Sequence, residues 1–597
     1  MGGQSGPAGG TSVTGLVGGT VTGRALSATL GELHEEPWYE RERMEAAPYG
    51  LGLLTHGTRD PDGTTTVNAG DRFGAVYGAV TNRTGLGWSW TDLFDRLLSA
   101  PAETARALEG PFVLAAADAA GRAVVATDKL GTRRCHYTEA PFTFGTDVGA
   151  LLGRLAEPTV DGRGLTDLVT VGQVWGGRTL VEEVRSVPPG TVLVHDADSG
   201  TLQARQYWDP PFDAGEPPTG EELYAEYSRV IEAAGGSVGP GTRAGLWLSG
   251  GLDSRTMAAE LSRHRELGTY TYDANPPTGA NLDLAARVAD LLGLDNERVP
   301  LTAEGFARVL ETGVKAVDGM VPWSTFLNLS AAFRLPGQPG VVLEGSGQGG
   351  LLGNDVWASD LDRGRSAADA LYRSHHYVDR ETARDLLATG HDPMRTYREE
   401  AAGPGGYESR VLRAYRQNFY PYGEFASNAV ARTQAGTRVP FADGDFLRLV
   451  GRIPRSARTG AVPLTRGRVP YGTAKYKLEL ARQVDDGVDR VPYERTGVQP
   501  VRPLWAHAAG FIVSTTLDRL RGATTYGGGT LAGEWYRGHD GLRARVDGLL
   551  DDVCDRPWVE EGPVRRLQRA HLEGEADNSN PVAALTTAEQ WLQSNAL

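Results

Sequence analysis

The stretch from Ala244 to Glu260, AGLWLSGGLDSRTMAAE, constrains this chain more than any other. It reads as a short apolar strand, a Ser249-Gly250-Gly251 turn and a helix beginning near Asp253 or Ser254. Two glycines let a backbone approach an anion closely and adopt φ > 0. Ser249 and Ser254 add hydroxyl donors, and a helix N-terminus adds unpaired N–H groups and the positive end of a dipole. Such a loop suits phosphate. Asp253 fits less well, because a carboxylate repels phosphate; a Mg²⁺ held by Asp253 and bridging to the phosphates resolves the conflict. An ordinary glycine turn between strand and helix would leave the Asp-Ser pair unexplained.

The surroundings extend this unit. Residues 270–274 and 297–301 read as strands and 283–292 as a helix, and such alternation implies a parallel sheet. Ligands of parallel sheets sit at the strands' carboxyl ends, where the loop lies. Residues 360–435 read as mainly helical, with helices at 360–373, 380–387 and 407–419. Before residue 210 the pattern is different: short strands with few helices, at 13–21, 73–81, 112–118, 123–128 and 191–195, and a helix at 91–98. The domain organisation expected is a leader at 1–12, a sheet-rich domain at 13–210, a linker at 211–220 and a second domain at 221–597 that carries the loop.

A chain of 597 residues supports two or three domains, and its formal charge of -15 argues against nucleic acid or an anionic membrane as partner. No apolar run approaches the roughly 20 residues that span a bilayer. The first twelve residues lack the basic and apolar regions of a signal peptide. Two cysteines, Cys135 and Cys554, build neither a disulfide framework nor a cysteine-rich metal site, so a reducing cytoplasm is the expected setting.

The pattern Ser-Gly-Gly-x-Asp-Ser resembles the pyrophosphate loop (PP-loop) of ATP pyrophosphatases, enzymes that adenylate a substrate and release pyrophosphate; the Walker-A pattern is absent. Further blocks resemble asparagine synthetase, in order. They are Leu108-Glu109-Gly110-Pro111-Phe112, the run from Asp128 to Tyr137, the run from Phe144 to Leu151, Val187-Pro188-Pro189-Gly190 and Gln206-Tyr207-Trp208. The resemblance implies an α/β fold in two parts. The N-terminal part would be an Ntn-type α/β/β/α sandwich of the class II glutamine amidotransferase kind. The C-terminal part would be a parallel-sheet ATP pyrophosphatase domain.

In that family an N-terminal cysteine attacks the glutamine amide, and an Asn-Gly-Glu strand binds glutamine. Here Thr14 stands at the cysteine position and Tyr77-Gly78-Ala79 replaces Asn-Gly-Glu. A glutaminase needs a thiolate and a terminal amine as base. Thr14 supplies neither, so the domain is read as a degenerate glutaminase.

The second loop of the family, Gly-x-Gly-(Gly/Ala)-Asp-Glu, aligns on Gly345-Ser346-Gly347, with Gln348 at the variable place. The aspartate that would share the metal with Asp253 then falls on Gly349, and the glutamate on Gly350. Asp355 or Glu344 is the candidate compensation, and Asp355 is taken as the second metal residue. The alternative is a metal held by Asp253, phosphates and water. The resemblance places ATP and pyrophosphate against Leu248, Ser249, Gly250, Gly251, Asp253, Ser254, Tyr272, Gly345, Ser346 and Gly347. The family's Glu-Val-Arg-Val-Pro-Phe-Leu-Asp reads Gly436 to Asp443, with Arg438 either structural, through Asp443 or a helix end, or a substrate contact. The family lysine that stabilises leaving pyrophosphate falls on Gly497; Lys475, Lys477, Arg495 and Arg502 are candidate replacements, the first three taken as catalytic.

The implied cofactors are ATP and Mg²⁺. The implied reaction is adenylation of a small-molecule or peptide carboxylate, then amide formation with an amine that does not come from glutamine. Relatives of this kind include β-lactam synthetases, carbapenam synthetase and lasso-peptide macrolactam cyclases. The β-lactam enzymes use a tyrosine where Ser346 stands, which disfavours β-lactam closure. Asparagine synthesis from ammonia or glutamine and a nucleotide-binding pseudoenzyme with a scaffold role are the alternatives. A homodimer stays open.

Overall fold

The computed structural model describes residues 14–597 except 32, 34–35, 213–214, 274–279, 336–338, 354–357, 459, 463–468, 470, 472–473, 485 and 521–527. The expected leader, the middle of the expected linker and Asp355 therefore lie outside the described residues.

Two antiparallel six-stranded sheets are built from the first third of the chain. Their strands are β1 (Gly15–Gly19), β2 (Glu40–Ala46), β3 (Tyr49–Thr55), β4 (Thr64–Asn68), β5 (Arg72–Gly78), β6 (Phe112–Asp118), β7 (Arg122–Thr127), β8 (His136–Thr138), β9 (Thr143–Gly145), β10 (Arg185–Ser186), β11 (Thr191–Asp196) and β12 (Thr201–Gln206). One sheet runs β10-β8-β9-β1-β3-β2 and the other β12-β11-β7-β6-β5-β4. The period of two decides what packs where. Leu51, Leu53, Phe73, Ala75, Val113, Ala115, Ala123 and Val125 face one another in a core between the sheets. Their neighbours Val76, Leu114, Ala116 and Val124 point the other way, against Leu93, Phe94 and Leu97 of the helix Trp90–Ser99. Val17 and Leu54 of the first sheet pack outward with Leu30 of the helix Gly23–Gly31. The result is an α/β/β/α sandwich.

The remaining sheet is parallel throughout. It contains β13 (Ala244–Trp247), β14 (Leu267–Thr271), β15 (Asn296–Arg298), β16 (Val341–Leu343) and β17 (Gly436–Arg438), in the order β15-β14-β13-β16-β17. The chain starts in the centre at β13, moves outward through β14 and β15, then returns to the other side of β13 as β16. That reversal is the topological switch point at which open parallel sheets bind ligands. The loops after β13 and β16 are the two loops singled out in the sequence.

Helices differ from expectation in places. The helix expected over 360–373 is two, Ala358–Arg363 and Ala367–Ser374. Ser366 caps the second by accepting from the Asp369 N–H, which ends the continuity of the first. The helix Tyr407–Phe419 runs into a π-turn, Tyr420–Glu424, followed by a short helix, Ala426–Ala431. The last helix, Ser579–Ser594, is almost wholly buried, and its Thr586 and Thr587 hydroxyls accept from the Trp323 indole and backbone N–H groups. No helix among the described residues is long and apolar enough to cross a membrane.

Candidate active site

The loop after β13 closes on itself through its own hydroxyls. Ser249 N–H donates to Ser254 Oγ at 3.0 Å, the two hydroxyls lie 2.9 Å apart, and Gly251 N–H donates to Ser249 Oγ at 3.2 Å. Gly250 N–H is held by Asn281 Oδ1 at 2.8 Å. The helix Leu252–Ser262 begins at Gly251 with no side-chain cap, so its first-turn N–H groups are left for an anion. Leu248 is buried and bound through its backbone, donating to Tyr270 O at 2.8 Å. Tyr272 lies edge-on to Trp247 at 5.2 Å and accepts from Asn281 through its carbonyl.

Arg255 is a residue that motif reading overlooked. Fully buried, it donates to the carbonyls of Gly250 and Gly251 and, across the sheet edge, to those of Val488, Val491 and Pro492. It fastens the loop to the 488–492 segment. An arginine in the first turn of a helix, against the dipole, was the available signal.

Asp253 meets Lys477, with Nζ 3.4 Å from Oδ2, while Asp253 Oδ1 is buried without a hydrogen-bond partner. A Cβ on Gly349 would stand 3.4 Å from Asp253 Oδ2 and 3.2 Å from Lys477 Nζ. Gly349 therefore faces Asp253, as the aligned loops require, but an ammonium fills the space where a second carboxylate would have to stand. These residues do not fit a resident metal held by two carboxylates. The other acidic cluster, Glu226, Asp443 and Asp445, is tied to Arg229 and to the N-cap of the helix Gly444–Gly451.

Of the other cations named from sequence, Lys475 is 43 % exposed at its side chain and pairs with Glu479 at 3.8 Å. Arg495 lies over the Phe511 ring at 5.2 Å. Arg502 is exposed. Gly497, at φ +66°, is a poor position for a lysine. Arg438 does not pair with Asp443. It is buried and bidentate to Asp60, at 2.6 and 2.9 Å, and a Cβ on Gly436 would stand 1.9 Å from the same carboxylate. The glutamate of the aligned motif has gone because Asp60 occupies its place.

The loop after β16 carries a second acid. Glu344 accepts from Ser427 at 3.1 Å and Ser346 at 3.3 Å, and burial pushes its carboxyl up to about 7 against those hydroxyls. Gly347 turns the loop at φ +84°, and its N–H donates to Glu424. Gly345 packs beside Met257 of the Leu252–Ser262 helix.

Residues 241–479 match the asparagine synthase family, and residues 95–208 match the glutamine amidotransferase domain family. Over those residues the chain is asparagine-synthetase-like. No curated protein matches it. Its family uses ATP, generally with Mg²⁺, to join carbon to nitrogen. In this asparagine-synthetase-like chain Thr14 is buried at the head of β1, its hydroxyl 2.9 Å from that of Tyr77, which donates to the Thr14 carbonyl at 2.6 Å. Gly78, at φ +117°, has the Arg133 Nε 2.6 Å from where a Cβ would be. Ala79 is buried. The four residues standing for a glutaminase centre thus lie together as a packed cluster, and the Cys135 thiol, buried elsewhere between the sheets, is pushed up to about 12.

Proposed function

We propose that this chain is an ATP-dependent amide-forming ligase that releases AMP and pyrophosphate and takes its amine from a substrate other than glutamine. The observation carrying this reading is the uncapped helix N-terminus behind Ser249–Ser254, set at the sheet's switch point with Lys477 beside it. A carboxylate oxygen attacks the α-phosphorus of ATP, and the bond to pyrophosphate breaks. The loop N–H groups and the Lys477 ammonium meet the charge that develops on the departing phosphates. Lys477 also neutralises Asp253, removing the repulsion that a bare carboxylate would exert. Among the described residues Asp253 is the carboxylate at this loop, and Mg²⁺ arriving with the nucleotide substrate would add charge neutralisation there.

The amine nitrogen then attacks the acyl carbon, the carbon–oxygen bond to AMP breaks, and the ammonium proton goes to Glu344. A carboxyl tuned near neutrality is suited to that transfer. Thr14, held by Tyr77, offers neither thiolate nor terminal amine, so ammonia from glutamine is not supplied. Macrolactam closure of a peptide, as in lasso cyclases, and other amide ligations fit this scheme. Closure of a β-lactam does not, because Ser346 is a poor base.

Exchange of labelled pyrophosphate into ATP with a panel of carboxylates, peptides included, tests the reading. Exchange is expected with at least one of them, and it should be retained by Thr14→Ala. Absence of exchange with every carboxylate would favour the pseudoenzyme instead. Asparagine formed from aspartate, ATP and ammonium would make it a synthetase of the ordinary kind.

A further inference from the structure

The carboxyl edge of the parallel sheet presents different groups on its two faces. β13 and β16 pair with Leu246 beside Leu343, and the ladder runs one residue further, with Glu344 N–H donating to Arg438 O at 3.0 Å. Side chains of a strand alternate between faces. Leu246 and Leu343 enter the core shared with Met257 and Ala258 of the helix behind the phosphate loop. Trp247, Tyr272 and Val342 pack on the opposite face. Glu344, next after Leu343, therefore turns toward Trp247 and Tyr272. Burial, and after it the Glu344 charge, pushes the Tyr272 phenol up to about 12.

Glu344 is 5 % exposed, and its two oxygens differ. Oε2 accepts from Ser427 Oγ at 3.1 Å and from Ser346 Oγ at 3.3 Å. Oε1 is sealed from solvent and has no hydrogen-bond partner. Arg432 draws on the carboxylate electrostatically, but no hydrogen bond from it reaches Oε1. Burying a carboxylate oxygen without a donor is costly. Ser346 and Ser427 are half-buried, their hydroxyls 3.4 Å apart, and form the open side of this corner. A hydroxyl has one hydrogen and two lone pairs. Both hydrogens are turned to Oε2, so the hydroxyls offer a ligand only their lone pairs. Oε1 and the two Oγ atoms make three acceptors around one negative charge.

A primary ammonium brings three N–H donors and one positive charge. A quaternary ammonium brings the charge alone. Trp247 and Tyr272, edge-on at 5.2 Å, add ring surface for a carbon chain and for the cation beside it. We propose that this corner binds the amine substrate as a primary ammonium on a carbon chain, its three N–H donors going to Glu344 Oε1, Ser346 Oγ and Ser427 Oγ, and its chain lying on Trp247 and Tyr272. An amino terminus or an alkylamine belongs to that class; free ammonia, with no chain to lie on the rings, does not. Ser346 and Tyr272, expected from the resemblance to meet ATP, would then turn their side chains to the amine. What the bound amine goes on to do rests on the ligase reading, but its binding needs no ATP.

The test uses the full chain without nucleotide. Phenethylamine and its N,N,N-trimethyl derivative are titrated, with binding read from the ligand by saturation-transfer NMR. The rings serve both cations, but only the primary amine donates hydrogen bonds. Phenethylamine should bind at least about 10-fold more tightly, the scale of hydrogen bonds to a charged group. Glu344→Gln should erase that preference. Ser427→Ala, which leaves the carboxylate in place, should reduce it by about 2- to 10-fold. Tyr272→Leu should weaken both ligands and keep the preference. Equal binding of the two cations, no binding of phenethylamine, or a preference that survives Glu344→Gln would overturn the proposal and leave water as the partner of Oε1. Any of these with pyrophosphate exchange intact would leave the ligase reading standing; absent exchange with the preference intact would sink that reading and keep the site.

Discussion

The Lys477 ammonium stands 3.4 Å from the Asp253 carboxylate, in the space that a side chain on Gly349 would enter. One charge pair thus accounts for a glycine in the second loop and for an aspartate in a phosphate loop. Lys477→Met should leave Asp253 facing the phosphates unneutralised and lower pyrophosphate exchange by about 10²–10³-fold, the scale of losing one donor at a site of developing charge. Gly349→Asp combined with Lys477→Met, which clears the ammonium from that space, should create a divalent-cation site. Nucleotide-free Mn²⁺ binding, read by electron paramagnetic resonance, is expected in that variant and not in the wild type. Tight Mn²⁺ binding by the wild type would show that Lys477 does not stand in for a second ligand.

The Asp60–Arg438 pair joins the two halves of the chain and is buried on both sides, at 2 % and 0 % side-chain exposure. Removing one partner strands the other as an uncompensated charge. Arg438→Met or Asp60→Asn alone should cost about 3–5 kcal/mol. The double variant Asp60→Asn with Arg438→Met should recover part of that loss, because no buried charge is left. Denaturant unfolding of all four proteins gives the coupling, and strict additivity would mean that the pair is not a functional unit.

Sequence made the site's backbone readable and its side-chain partners much less so. The Ser249–Ser254 loop and the loop at Gly345–Gly347 could be placed because glycines and strand ends mark backbone, and backbone follows local rules. Asp60 was missed because its partner lies 378 positions away, and nothing local in either segment announces the other. The choice between Lys475 and Lys477 follows from helical phase: residues two apart on a helix point to nearly opposite sides, so only one can reach the loop. The sequence showed that the glutamate had been lost at Gly436; only the fold explains it, through the carboxylate that Asp60 brings into that space.

His56 gives the chain a sensitivity to acid. It is 6 % exposed, and burial pulls its imidazole down to about 4 even though Asp60 draws it the other way. The unfolded chain takes up that proton near pH 6.5, the folded chain only near 4. Between those values the unfolded state holds more protons, so stability rises with pH and is lost as pH falls. The contribution is on the order of 3 kcal/mol, and it is fully present above pH 6.5. His56→Gln should flatten the fall in unfolding free energy between pH 6.5 and 4. A variant whose stability falls as steeply as the wild type's would place the titrating group elsewhere.

Glu344 should govern amide formation rather than adenylation. Its carboxyl, pushed up to about 7 by burial, must be ionised to accept the proton of the attacking ammonium. The rate of amide formation from a trapped acyl-adenylate should therefore climb as pH rises through about 7 and level off above it. Pyrophosphate exchange, which does not need that proton transfer, should lack this limb. Glu344→Gln keeps the Ser346 and Ser427 contacts within reach of an amide but cannot accept the proton. It should lower amide formation by about 10²-fold, with exchange spared and the limb at neutral pH erased. If exchange and amide formation fell together, Glu344 would be holding the loop through Ser346 and Ser427 instead of moving a proton. If neither changed, the base would lie on the substrate or in solvent, and the shift of the Glu344 carboxyl would be a consequence of burial alone.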